Sequence, residues 1–141
     1  MTRPASHRSR LAWRIVFACV VLGVSWLALA PRPPNLLDSG WDKANHVLAF
    51  AAAAFAGVGA LGDRHGSARV WLALALLAWG ALLELGQGLQ GTRHADPVDW
   101  LADAVGVCAG LALASRVWPR PGVADAADER AGAEGVSARR R

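Results

Sequence analysis

Four apolar runs, at about residues 11–30, 44–61, 70–89 and 100–118, leave this 141-residue chain little freedom of architecture. A helix needs about 20 mostly apolar residues to cross the hydrocarbon core of a bilayer. A single helix also satisfies its own backbone hydrogen bonds there. The runs predict four transmembrane helices, with two tails and short connections as the remainder. No room is left for a soluble catalytic domain. Composition agrees: 54% of the residues are apolar and 18% charged, against about a quarter charged in soluble domains. The expected fold is an all-α integral membrane protein, a four-helix transmembrane bundle with the lipid bilayer as its main partner.

Charge placement predicts orientation. Arg3, Arg8, Arg10 and Arg14 precede or open the first run, and Arg64 and Arg69 flank the second connection. Arg116, Arg120, Arg130 and Arg139 to Arg141 follow or close the last run. The first and third connections carry only Arg32, Lys43 and Arg93. The positive-inside bias therefore puts both termini and the middle connection on the cytoplasmic side. The basic surplus is a topology signal, and no nucleic-acid partner is expected, because no binding motif accompanies it. Trp13, Trp41, Trp71, Trp100 and Trp118 fall near the span ends, as in an aromatic belt, while Trp26 and Trp79 lie inside. Ala28-Leu29-Ala30 after a basic leader also fits a secretory cleavage site. The run is long enough to span, however, and Pro31 would follow the cut, so a retained helix is expected.

Residues 1–10 read as a basic cytoplasmic leader and 119–141 as a disordered cytoplasmic tail without apolar periodicity. Between them lies a single membrane domain, 11–118. Prolines 31, 33 and 34 end the first span, and residues 62–67 form a polar turn. Cys19 and Cys108 fall within apolar runs, where a small buried side chain is the ordinary role and no disulfide is expected.

Most polar residues near the span ends gather on one side. Asp42, Lys43 and His46 open the second span, Glu84 and Gln87 lie near the end of the third, and Arg93, Asp96, Asp99 and Asp103 lead into the fourth. In a serpentine chain these ends share the extracytoplasmic face. Asp42 and His46 are four residues apart and stack on one helix face, with Lys43 turned about 100° away toward the interface or a neighbour. Asp99, Asp103, Gly106 and Gly110 form one stripe, its polar end facing the cluster and its glycines allowing close helix packing. Ionisable groups at membrane depth are costly, so His46, Glu84 and Asp103 are the leading functional residues. Asp42, Lys43, Asp96 and Asp99 serve equally well as helix-start acids or a snorkelling lysine. The acids outnumber the bases, so charged His46, water, protonated carboxyls or a bound cation must offset them. A metal held by His46, Glu84 and Asp103 is the weaker alternative, since their spacing matches no closed ligand motif. No cofactor is expected.

These residues resemble the VanZ-like family of small bacterial membrane proteins. The likeness runs from residue 41 to about 114. It rests on Asp42-Lys43-x-x-His46, Glu84-x-x-Gln87, and Arg93 followed by Asp99-x-x-x-Asp103-x-x-Gly106. The family usually has Asn where this chain has Asp103. The resemblance implies four helices, an extracytoplasmic polar cluster, the bacterial cytoplasmic membrane and, for the namesake, a contribution to teicoplanin resistance. The expected function is binding of an envelope ligand, a lipid-linked intermediate or a glycopeptide, or an envelope accessory role. Asp42, Lys43, His46, Glu84, Gln87, Arg93, Asp99 and Asp103 would line the site. An intramembrane enzyme using His46, Glu84 and Asp103 is the alternative, although the chain has neither a Gly-x-Ser-x-Gly elbow nor a His-Glu-x-x-His zinc helix. A third reading is an assembly partner whose polar groups only hold helices together.

Overall fold

A computed structural model describes residues 7–30, 42–62, 66–90 and 97–118. It is all-helical: α1 is His7–Leu29, α2 Asp42–Leu61, α3 Gly66–Gln90 and α4 Pro97–Val117. All four are long and apolar enough to cross a membrane. The leader 1–6, the tail 119–141 and the connections carrying Trp41, Arg93, His94 and Asp96 lie outside the described residues. So does the side chain of Asp42.

Three helices begin three to four residues before the apolar run that announced them, and α2 begins two before. Residues 7–10, expected in the leader, form the first turn of α1, and Gly66 and Ser67, expected in a turn, open α3. Helix propagation costs little once nucleated, so polar residues continue the spiral beyond the apolar limit. The end of α2 is set by Gly62, whose φ of 67° closes the helix as its amide donates to the Val58 carbonyl at 3.2 Å.

Helix α2 is the centre of the packing, against α4 above all and then α1, whereas α1 and α4 meet little. Lipid tails are as apolar as leucine, so helices associate there through close van der Waals contact rather than a hydrophobic drive. The sequence supplies that contact with small residues. Ala53, Ala54 and Ala114 are fully buried, and Phe50, Leu76 and Val107 complete the core. Gly106 and Gly110 of α4 lie against the α2 backbone. A Cβ on Gly106 would stand 2.5 Å from the Val47 carbonyl oxygen, and one on Gly110 would meet the Ala51 carbonyl oxygen. The expected glycine packing face is therefore the α2–α4 seam.

The outer surface is apolar on every helix, with Leu22, Trp26, Leu48, Trp71, Leu82, Leu89, Leu101 and Val105 exposed. Cys19 and Cys108, expected as buried fillers, are free thiols on this outer surface. On a helix apolar all round, hydrophobicity does not mark the packed side.

Candidate functional site

The α2–α4 seam carries two polar rungs above its glycines. Lys43 Nζ donates to Asp99 Oδ1 at 2.8 Å, and one turn deeper His46 Nδ1 meets Asp103 Oδ1 at 2.8 Å. Partners are separated by 56 and 57 residues, so the two helices run in the same direction, in register. Below the rungs follow Gly106 on Val47 and Phe50, then Gly110 on Ala51 and Ala54. The stripe expected from the sequence is one continuous seam, polar at the start of both helices and tightly packed beyond.

Helix α3 brings the third wall. Glu84 is 8% exposed, and it offers a carboxylate oxygen that lies with one ligand atom each of His46 and Asp99 inside a mutual distance of 4.8 Å. Asp103 is 1% exposed. Its Oδ2 is buried, accepts no hydrogen bond among the described residues, and lies against α3 at Gly80, where an added Cβ would stand 2.5 Å away. Gly80 and Glu84 are one turn apart on the same face of α3. The floor is apolar: Phe50, 1% exposed, packs on Trp79 with ring centroids 4.9 Å apart. Lys43 is the most solvent-open member, its side chain 35% exposed against 12% for Asp99.

The candidate residues divide as follows. Lys43, His46, Glu84, Asp99 and Asp103 come together. Gln87 does not join them, because its amide donates to the Ala28 carbonyl at 3.0 Å and ties the end of α3 to the end of α1. Arg93 and Asp96 lie outside the described residues, and Asp42 is described only as the first residue of α2. The ligand atoms that converge within 4.8 Å are those of His46, Glu84 and Asp99, while Asp103, the other member of the trio expected for a metal, engages His46 Nδ1.

Gly80, Phe50 and Arg69 were not among the sequence candidates. Gly80 makes room for the Asp103 carboxylate, and its position four before Glu84 was the available signal. Phe50 lies four after His46 and was hidden among apolar neighbours. Arg69, read from the sequence only as a topology charge, is 7% exposed at the opposite end of the molecule. Its guanidinium donates to Ser115 Oγ at 3.0 Å and to the Trp118 carbonyl at 2.6 Å. There it satisfies a carbonyl beyond the end of α4, where helices leave acceptors unpaired.

An imidazole held by a buried carboxylate, beside a second and a third carboxylate and an ammonium, can bind a polar headgroup, move a proton or hold a cation. Compared with protein-family models, curated proteins and solved structures, the chain matches none. The likeness to the VanZ-like family thus rests on its residue pattern.

Proposed function

We propose that this chain is a VanZ-like, multi-pass protein of the bacterial cytoplasmic membrane that binds an envelope ligand at the extracytoplasmic end of a four-span bundle. Both termini are cytoplasmic in this reading, as the arginine distribution favours. The ligand is a lipid-linked intermediate or a glycopeptide, gripped by its polar headgroup while any lipid tail runs along the apolar helix faces.

The observation that supports it is the buried polar end itself. Interhelical glue needs pairs, and Lys43–Asp99 is such a pair. The end holds more than a pair requires: Asp103 is 1% exposed, and one of its carboxylate oxygens accepts no hydrogen bond among the described residues. Burying polar capacity beyond what the helices use is costly, and a ligand that uses it offsets that cost. A catalytic role is the second reading, favoured by one feature: Asp103 orients His46 as a carboxylate orients a general base.

The test is a thermal-stability panel on the purified full-length protein in detergent. A polyprenyl-linked diphosphate sugar or a glycopeptide is expected to raise the melting temperature saturably. Stabilisation of about 2.7 kcal/mol is expected at a hundredfold excess over Kd. No shift with either class would overturn the binding reading. Conversion of the lipid-linked compound to product would favour the catalytic one.

A further inference from the structure

The end of the bundle opposite the polar cluster gathers positive charge. Arg8, Arg10 and Arg14 open α1, Arg69 lies in the first turn of α3 and Arg116 in the last turn of α4. The described carboxylates, Glu84, Asp99 and Asp103, all lie at the other end. Exposed arginines at a span end ordinarily signal topology and nothing more. Two features set Arg10 and Arg14 apart.

The first is restraint. Trp13 lies on Gly59 of α2, where an added Cβ would stand 2.7 Å from its ring. Trp118 packs edge-on against the same ring at 5.3 Å and on Phe55 at 5.0 Å, while Arg69 holds the Trp118 carbonyl at 2.6 Å. This cluster ties the start of α1 to the ends of α2 and α4. The stem of Arg10 then lies over Gly62, its Cδ 2.9 Å from where a Cβ would stand there, so its guanidinium is kept at the rim beside the end of α2. The second feature is electrostatic. Arg10 and Arg14 are four residues apart on one face of α1, and like charges at that spacing repel. Both are exposed, and neither side chain makes a hydrogen bond or ion pair among the described residues. An anion held between them turns the repulsion into attraction.

We infer that Arg10 and Arg14 bind the phosphate of an anionic phospholipid, with Trp13 bracing the helix between them. A guanidinium presents paired donors that match phosphate oxygens. The surroundings suit a lipid rather than a soluble anion. Leu11 and Ile15, the next residue after each arginine, are 52% and 57% exposed and offer an apolar surface to acyl chains. Tryptophans take the headgroup level of a bilayer, and basic groups at helix ends on the cytoplasmic side recruit anionic lipids. Arg8 stands about 160° round α1 from Arg10 and takes no part. The inference rests on the reading that the four helices span a bilayer, and not on what the opposite end binds.

The experiment is a melting series of the full-length protein in neutral detergent, titrated with phosphatidylglycerol, with phosphatidylcholine of the same chains, and with glycerol phosphate. Phosphatidylglycerol is expected to raise the melting temperature saturably, less so at high salt, and the other two are not. Arg10→Gln and Arg14→Gln are each expected to weaken its apparent affinity about fivefold, the factor for one basic residue at an anionic surface. Arg8→Gln removes the same charge and should leave the affinity unchanged. Equal stabilisation by phosphatidylcholine or by glycerol phosphate overturns the assignment, as does an Arg8→Gln loss as large as that of Arg10→Gln. Should a variant fail to fold, native mass spectrometry of the unmutated protein decides. One retained phosphatidylglycerol per chain supports the site, and retention no greater than that of phosphatidylcholine overturns it. A protein that stays soluble without detergent would overturn the membrane reading and this site together.

Discussion

Gly106→Ala is the smallest change that reaches both the packing seam and the polar end. The new methyl would sit 2.5 Å from the Val47 carbonyl oxygen, 3.0 Å from Phe50 Cβ and 3.1 Å from the Val47 carbonyl carbon. Two of these atoms are backbone and the third is bonded to it, so no side-chain swing relieves the contact. Helices α2 and α4 must separate by about 0.5–0.9 Å to restore ordinary contact distances. Val47 is the neighbour of His46, and Gly106 lies one turn from Asp103, so the 2.8 Å His46–Asp103 bond stretches as well. Replacing glycine by alanine inside a helix gains about 1 kcal/mol. Overpacking costs about 1–3 kcal/mol, and a weakened interhelical hydrogen bond in a membrane costs about 0.6 kcal/mol more, up to roughly 1.7. The net expectation is destabilisation by about 1–3 kcal/mol. Gly23→Ala is the internal control, since nothing lies within 4 Å of a Cβ there and only the propensity gain remains. Unfolding free energies in mixed micelles measure both. A Gly106→Ala protein as stable as Gly23→Ala would refute the close α2–α4 seam.

Three further expectations follow from other parts of the structure. Arg69→Met removes the donors to Ser115 Oγ and the Trp118 carbonyl and should destabilise by about 1–3 kcal/mol in the same unfolding assay; a change below about 0.5 kcal/mol would contradict the buried geometry. His46→Ala and Glu84→Ala should be non-additive in a double-mutant cycle, and additivity within about 0.3–0.5 kcal/mol would mean that they share no network. In a background without Cys19 and Cys108, a Ser67→Cys probe should resist an impermeant thiol reagent applied to intact cells, whereas labelling from outside would reverse the proposed orientation.

The helices were legible because a run of about 20 apolar residues has few other destinations. Their limits were less so, since Arg8, Ser9, Arg10 and the residues opening α3 extend the spiral past the apolar run. The packing stripe of α4 could be read from Asp99, Asp103, Gly106 and Gly110, because helical spacing fixes which side chains share a face, but that α2 receives it could not. Partners were harder. That Lys43 turns to Asp99, and Gln87 to α1, depends on which helix lies on which side, and the sequence does not say. Arg69 carried only a topology signal, because nothing in its sequence position names Ser115 and the Trp118 carbonyl as partners. Cys19 was misplaced because α1 has no polar face to orient it, whereas Cys108 stands about 200° round α4 from Gly106, so the stripe itself already turned it outward.

The direct test of the ligand-site account is Glu84→Gln, measured for melting temperature and for stabilisation by the ligand that stabilises the parent. Glutamine keeps the size of Glu84 and removes only the ionisable carboxyl. If the polar end is a ligand site, this variant inserts and melts as the parent does yet has lost its ligand-induced shift. A full shift at unchanged stability, or a loss of binding that a separate stabilising substitution restores, would show that the polar end is interhelical glue.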